Sequence, residues 1–306
     1  MADAVEKHIL EEIADLHEVP VGAYNIRLNG ESSARNTTAN IDISSKADKP
    51  GIDIRIKPGT KNESVHIPVV LSLSGIKETV YNDFYIGEDS DVLIIAGCGI
   101  HNCGDQDSAH DGVHRFFVGK NAKIKYVEKH YGEGDGNGKR IMNPQTEVYQ
   151  EAGSTVEMEM VQIKGVDSTV RTTVAKLDEG ARLVVRERLM THGDQEAVSN
   201  YTIELNGKDS SADVVSRSVA RENSYQKYTS RIVGNSICTG HTECDAIIMD
   251  RARVLAIPEL EANDLDAGLI HEAAIGKIAG DQIIKLMTLG LTEAEAEEQI
   301  INGFLK

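Results

Sequence analysis

A loose internal repeat dominates this chain and limits what it can fold into. A turn containing Gly or Asp, a small residue, a polar residue and then a β-branched or leucine anchor recurs six times. The instances are Gly87–Val92, Gly119–Ile124, Ala152–Val156, Glu179–Leu183, Asp209–Val214 and Asp250–Val254. The anchors at 92, 124, 156, 183, 214 and 254 lie 32, 32, 27, 31 and 40 residues apart. Alternating or apolar sequence follows each anchor, as in Val156-Glu-Met158-Glu-Met160 and Leu183-Val-Val185. Self-similarity at this period means stacked supersecondary units, each burying a face of its neighbour. The units are strands and turns with no helix between them. The pattern therefore favours a β-solenoid over a β-sandwich, the other fold built from short strands and regular turns.

Composition agrees with a regular β structure. Four Phe, nine Tyr and no Trp among 306 residues leave the core to Val, Ile and Thr, which fit a pleated surface. A formal charge of −17 and a pI near 5.0 exclude nucleic acid and anionic membrane surfaces as expected partners, because their phosphates would be repelled. No run of eighteen apolar residues suggests a membrane span. The N-terminus is acidic and amphipathic without a signal peptide's apolar core, so a cytosolic protein is expected. In that setting the four cysteines, at 98, 103, 238 and 244, are not a disulfide framework.

The two ends of the chain have helical periodicity. Val5, Ile9, Ile13 and Leu16 predict a short amphipathic helix over 4–17, before Pro20. Period-two patterning begins near Tyr24, with Ile52-Asp-Ile54-Arg-Ile56 as an example. Past Asp266 the spacing of Ile270, Ala274, Ile278 and Leu286 predicts helix over 267–289, with Gly290 as its stop. Thr292 and Glu295 form a capping box for a last helix through Ile300, Ile301 and Phe304. Three parts follow: a helical segment 1–23, a β core 24–266 and a C-terminal helical module 267–306.

Several familiar catalytic devices are missing, including a phosphate loop, a Rossmann fingerprint, a Gly-x-Ser-x-Gly elbow and a His-Glu-x-x-His helix. The glycine-rich run 132–138 carries Glu133 and Asp135, which would repel phosphate, so it is expected to be a flexible turn. Two constellations remain. Cys98, His101, Cys103, His110 and His114 fall within seventeen residues, and zinc could take both cysteines and two of the histidines. Cys-x4-Cys is not a strong zinc spacing, however, and His and Asp groups also serve solenoid turns. The second constellation is Cys238, His241 and Cys244 followed by His271-Glu272. Cys244 lies just ahead of Ala246-Ile-Ile-Met249, at the expected start of a strand. A thiolate, an imidazole and a carboxylate can together hold iron, and a thiolate can also take up sulfur as a persulfide. The plainer alternative is core thiols and a polar pair at a helix N-terminus.

Four pieces of this region occur in order: Gly240-His-x-x-Cys244-Asp, His271-Glu-Ala-x-Ile-Gly-Lys-Ile-x-x-Asp281-Gln, Gly290-Leu-Thr-Glu-x-x-Ala and Ile301-Asn-Gly-Phe304. Together they resemble the SufB/SufD scaffold family of the SUF iron–sulfur cluster assembly machinery. The match is dense over 234–306 and looser through the repeats. The resemblance implies a right-handed parallel β-helix flanked by helical segments. It implies that the C-terminal helices grip an ABC-type ATPase, SufC. It also places the family's assembly cysteine at Cys244, its nearby glutamate at Glu272 and the partner subunit's functional histidine at or beside His271. With all three in one chain, the expectation is a homodimer through the β-helix that assembles a transient iron–sulfur cluster and releases it to apo-proteins. The resemblance does not extend to flavin binding or to a dedicated sulfur carrier, since the N-terminal segment is one small helix. The Cys98–His114 segment maps to no functional site of the family. Competing readings are a β-helix carbohydrate-active enzyme and a structural adaptor for the ATPase without a cluster.

Overall fold

Side chains that alternate across a strand bury one side only, so successive strands must close on one another. In the computed structural model, which describes residues 4–306, 59% of the chain is strand, and it winds into a β-solenoid of about eight turns. Residues 1–3 of the expected N-terminal segment lie outside the described residues.

Helix α1 (Ala4–Ala14) comes first. Two antiparallel hairpins follow, β1 (Ala23–Leu28) with β2 (Glu31–Asn36) and β3 (Ile41–Ser45) with β4 (Gly51–Ile56). The coils open with β5 (Lys61–Leu71), β6 (Lys77–Ile86), β7 (Asp91–His101), β8 (Ser108–Val118) and β9 (Lys123–Glu133). Next come β10 (Arg140–Met142), β11 (Gln145–Gln150), β12 (Thr155–Lys164), β13 (Ser168–Leu177), β14 (Arg182–Thr191) and β15 (Glu196–Leu205). The last coils use β16 (Ser210–Ala220), β17 (Tyr225–Gly234), β18 (Cys238–Ile248), β19 (Arg253–Ala262) and β20 (Ala267–Gly276). From β4 on, consecutive strands alternate between two sheets, apart from β10 and β11, which share one. The first sheet runs β2-β1-β5-β7-β9-β12-β14-β16-β18-β20, and the second runs β19-β17-β15-β13-β10-β8-β6-β4-β3. β11 continues the place of β10 between β8 and β13, beyond Pro144, which has no N–H to give a ladder.

Rows of like side chains hold the coils in register. Val92, Ile124, Val156 and Leu183 stack as the repeat predicts. The row then continues through Ala212, Gly240 and Leu269. Val214 lies two residues further along its strand, and Val254 belongs to the other sheet, opposite Gln226. The apparent spacings of 31 and 40 came from those two displacements. Outside the core, Tyr85, Phe117 and Tyr149 stack with centroids 5.2 and 5.4 Å apart. At the turns, Asn263 donates to Asn235 and Asn235 to Asn206, each at 2.8 Å.

Helix α1 seats Ile9 and Ile13 against β7, where Gly97 and Gly99 leave room for them. At the other end the helix expected over 267–289 forms only in its second half. Ala267–Gly276 is β20, paired with β18 from Cys238↔Ala267 to Ile247↔Gly276. The open edge of β18 offers this segment a complete hydrogen-bond ladder and packs Leu269 on the core, which outweighs a helical propensity of a few tenths of a kcal/mol per residue. Helix α2 (Gly280–Met287) is capped by Thr288, with Gly290 at φ +98° two residues on, and α3 (Glu293–Phe304) carries the Thr292–Glu295 capping box. Among the described residues no helix is long and apolar enough to cross a membrane.

The interior is apolar along one half and polar along the other. Arg171 is buried between two buried carboxylates, paired with Glu128 and 3.6 Å from Glu187 Oε1. Glu187 also accepts from Ser199 at 2.6 Å, Tyr201 at 3.0 Å and Ser216 at 2.7 Å. Tyr126 donates to Glu128 at 2.9 Å. Removing the guanidinium leaves Glu187 without its cation and Glu128 with His130 alone, 3.7 Å away. Arg171→Met is expected to cost about 3–5 kcal/mol, read as a lower urea midpoint, while Arg171→Met with Glu128→Gln loses less than the sum of the two single changes.

Candidate functional site

Strands β18 and β20 bring the second constellation together and divide it between two faces. Their register sets Thr242 against His271, Glu243 against Glu272 and Cys244 against Ala273. Since side chains alternate, Cys244 shares the inner face with Thr242 and His271, and Glu272 shares the outer face with His241 and Glu243. Cys244 and His271 are thus diagonal neighbours at the last coil of the solenoid. Cys244 and Glu272 stand on opposite sides of one sheet.

The inner face is dry. Cys244 is 1% exposed and continues a buried row through Ser216, Glu187, Met160 and Glu128. Burial, with the charges of Glu187 and Asp245 adding to it, pushes the Cys244 thiol up to about 12. At pH 7 the thiol is therefore protonated and shielded. His271 is half-buried, and its Nδ1 is buried without a hydrogen bond of good geometry. Burial lowers its pKa, the Thr242 backbone opposing and the nearby His241 assisting. A neutral imidazole diagonal to a thiol could serve as a ligand pair for a soft or borderline metal once the thiol gives up its proton.

The outer face gathers Glu272 and His241 with Glu243, which the sequence pattern did not single out. One ligand atom each from His241, Glu243 and Glu272 lie within 4.8 Å of one another. Asp213 Oδ1 accepts from His241 Nδ1 at 2.8 Å, which orients the ring and aims Nε2 at Glu272 Oε2, 3.3 Å away. A carboxylate behind a histidine in this way is the usual support of a metal-ligating ring. The Asp213 hydrogen bond raises the His241 pKa against burial, and Glu272 adds to it. Burial and the hydrogen bond to Asp245 raise that of Glu243. A cavity of about 500 Å³ opens beside the group, with Arg186, Arg217 and Lys306 in its lining. His241 stands in the opening motif between Cys238 and Cys244, but only the register with β20 reveals its partners. Cys238, on the same strand three residues before His241, is buried in the core, and burial raises its pKa.

The first constellation is also divided. Cys98, His110 and His114 point inward, where Cys98 lies opposite His130 in register. Burial would push the Cys98 thiol up, but His110 and then His130 outweigh it and lower its pKa to about 7. Cys98 and Glu78 in turn hold His110 raised against burial, to about 10. His114 hydrogen-bonds Tyr126 at 2.9 Å and is kept neutral by burial. His101, the last residue of β7, and Cys103, on the turn that follows, lie outside. The five residues are thus not gathered round one point.

In the folded chain at about pH 8, iodoacetamide is expected to modify Cys244 about 10³-fold more slowly than in urea, the ratio of thiolate fractions for pKa values of about 12 and 8.5. Peptide mass spectrometry reads the difference, and equal rates would contradict the shielded inner face.

Residues 81–304 match the family model for the SufBD core domain of SUF-system FeS cluster assembly. An iron–sulfur cluster assembly SufBD family protein of Archaeoglobus fulgidus is 30% identical over 264 residues, covering 85% of this chain and 69% of its own length. One from Methanothermobacter thermautotrophicus is 30% identical over 267 residues, covering 83% of this chain and 62% of that relative, less than two thirds of it. One from Methanocaldococcus jannaschii is 28% identical over 257 residues, covering 82% and 79%.

Proposed function

This chain belongs to the SufBD family, and from that premise we propose that it is a cytosolic, non-enzymatic scaffold on which an iron–sulfur cluster is assembled and then handed to apo-proteins. The observation that carries the reading is that Cys244 and His271 share the inner face of the last coil as diagonal neighbours, with Cys244 one strand in from an edge. A single thiolate with imidazole and carboxylate neighbours suits a cluster that must leave, since four thiolates would hold it too tightly. Glu272 faces the other side of the sheet, so one copy does not present it to the same cluster as Cys244. A second copy, or movement of β20, supplies the missing ligands.

The terminal coil supports association. Both β19 and β20 are edge strands, and Leu255, Ile257, Leu265, Ile270 and Ile275 are exposed on or beside them. Open strand edges flanked by apolar side chains pair readily with another chain. We assign this surface to a homodimer and the following α2–α3 segment to an ABC-type ATPase resembling SufC. Movement driven by that ATPase would lift β20 and unmask Cys244.

Anaerobic reconstitution with iron and sulfide tests the site. Wild type is expected to gain the visible absorption of a cluster, Cys244→Ala to lose it, and His271→Ala to hold it more weakly. A stable cluster on Cys244→Ala would remove Cys244 from the assignment. For the association, Ile257→Arg with Ile270→Arg is expected to shift the chain from dimer to monomer in light scattering. An unchanged mass would place the interface elsewhere.

A further inference from the structure

A second cysteine is built for chemistry, far from Cys244 along the solenoid. Cys103 is exposed, and its Sγ lies 3.0 Å from Nε2 of His101. Nδ1 of that ring lies 3.1 Å from Glu133 Oε1. Glu133 is fixed in turn, because its Oε2 accepts from the Tyr131 hydroxyl at 3.0 Å and lies 3.6 Å from His8 Nε2. A nucleophile touching a base, with the base oriented by a carboxylate, is the arrangement that activates a thiol.

The fold holds these groups in place. His101 ends β7 and Glu133 ends β9, and the two residues are register partners. Between His101 and Cys103 the fully buried Asn102 anchors the turn, donating to the Gln106 carbonyl at 2.9 Å and the Gly138 carbonyl at 3.1 Å. The glycine-rich run expected to be a flexible turn stacks directly on this one. At Gly134, Gly136 and Gly138 a Cβ would collide with the backbone of residues 102–106, so only glycine permits the contact. That stacking brings Asp135 against Cys103.

We propose that Cys103, His101 and Glu133 form a base-assisted nucleophilic thiol that exchanges with electrophilic sulfur, a disulfide or a persulfide, on a neutral or cationic carrier. Acyl transfer needs a hole for an oxyanion, whereas sulfur exchange passes charge from sulfur to sulfur and works on an exposed turn. Cys103 Sγ gives its proton to His101 Nε2 and attacks one sulfur of R–S–S–R′. The S–S bond breaks, R′S⁻ leaves with its electron pair and takes the proton from His101 as R′SH, and Cys103–S–S–R remains. The carrier's charge follows from the surroundings. Asp105 and Asp135 are exposed beside the thiol, and Glu133 lies behind the base. His8 and Lys164, the latter bonded to Tyr131 at 3.2 Å, stand behind Glu133 rather than beside the sulfur. None of this depends on Cys244.

Cystamine, oxidised glutathione and cysteine persulfide are the probes, with peptide mass spectrometry locating the product on the intact chain. At about pH 7 cystamine is expected to modify Cys103, with His101→Gln about tenfold slower, since a free cysteine is only a few per cent thiolate there. Glu133→Gln is expected to slow the reaction in the same direction. The rates of wild type and His101→Gln converge near pH 9.5, where a thiol ionises unaided, which a structural role for His101 would not produce. Oxidised glutathione, an anion, reacts more slowly than cystamine, and salt narrows the gap. An added cysteamine or a single added sulfur identifies the disulfide or persulfide source. Cys103→Ser, with an unchanged urea midpoint, abolishes the modification. Equal rates for wild type and His101→Gln from about pH 6 to 9, or products on Cys98, Cys238 or Cys244 in place of Cys103, would overturn the proposal.

Discussion

Parallel, in-register stacking of the coils is the constraint on which everything else depends. Each strand takes its hydrogen bonds from the strands one coil before and one coil after it, so each residue inherits a row and a face from its neighbours. A single row shows the consequence. Ala96, Glu128, Met160, Glu187, Ser216 and Cys244 follow one another along the inner face, and that succession carries polar chemistry through the length of the core. The same rule makes the two ends unlike. Hairpins and α1 cover the first coils, whereas the last coil leaves β19 and β20 with open edges, and the candidate site lies beside those edges.

Buried charge then decides what each inner cysteine is. Cys98 and Cys244 are both buried and on the same sheet, in separate clusters of the core. The imidazoles of His110 and His130 bring the Cys98 thiol down to about 7, while Glu187 and Asp245 add to burial in raising Cys244 to about 12. The difference comes from the sign of the nearest neighbours, not from the fold. Arg171 pairs with Glu128 and lies 3.6 Å from Glu187, and His130 lies 3.7 Å from Glu128, so each buried carboxylate has a cation beside it.

Division of the ligands between two faces gives the site its character. Hard oxygen and imidazole groups collect on the outer face around His241, where solvent reaches them, and the thiol stays inside with His271. A sheet one residue thick separates the two sets. β20, like β19, is held along one edge only, so moving it breaks one ladder where an interior strand would break two.

The sequence by itself determined the architecture and named the region of the site. Repeats at 32, 32 and 27 residues, the motif through Cys244, and His271-Glu272 were legible because side-chain period and coil length are local properties. The capping box at Thr292 was legible for the same reason. Only the tertiary structure decided which residues share a face. Cys244 and Glu272 are an even number of residues apart and yet face opposite ways, because the turns of a coil reset the alternation and the pairing of Glu243 with Glu272 fixes the outcome. Residues 267–276 became strand because β18 offered them an edge, a contact that helical spacing in the sequence could not anticipate. His130 joined Cys98, and Glu133 joined His101, each across 32 residues, since one coil of the solenoid is what turns that separation into adjacency.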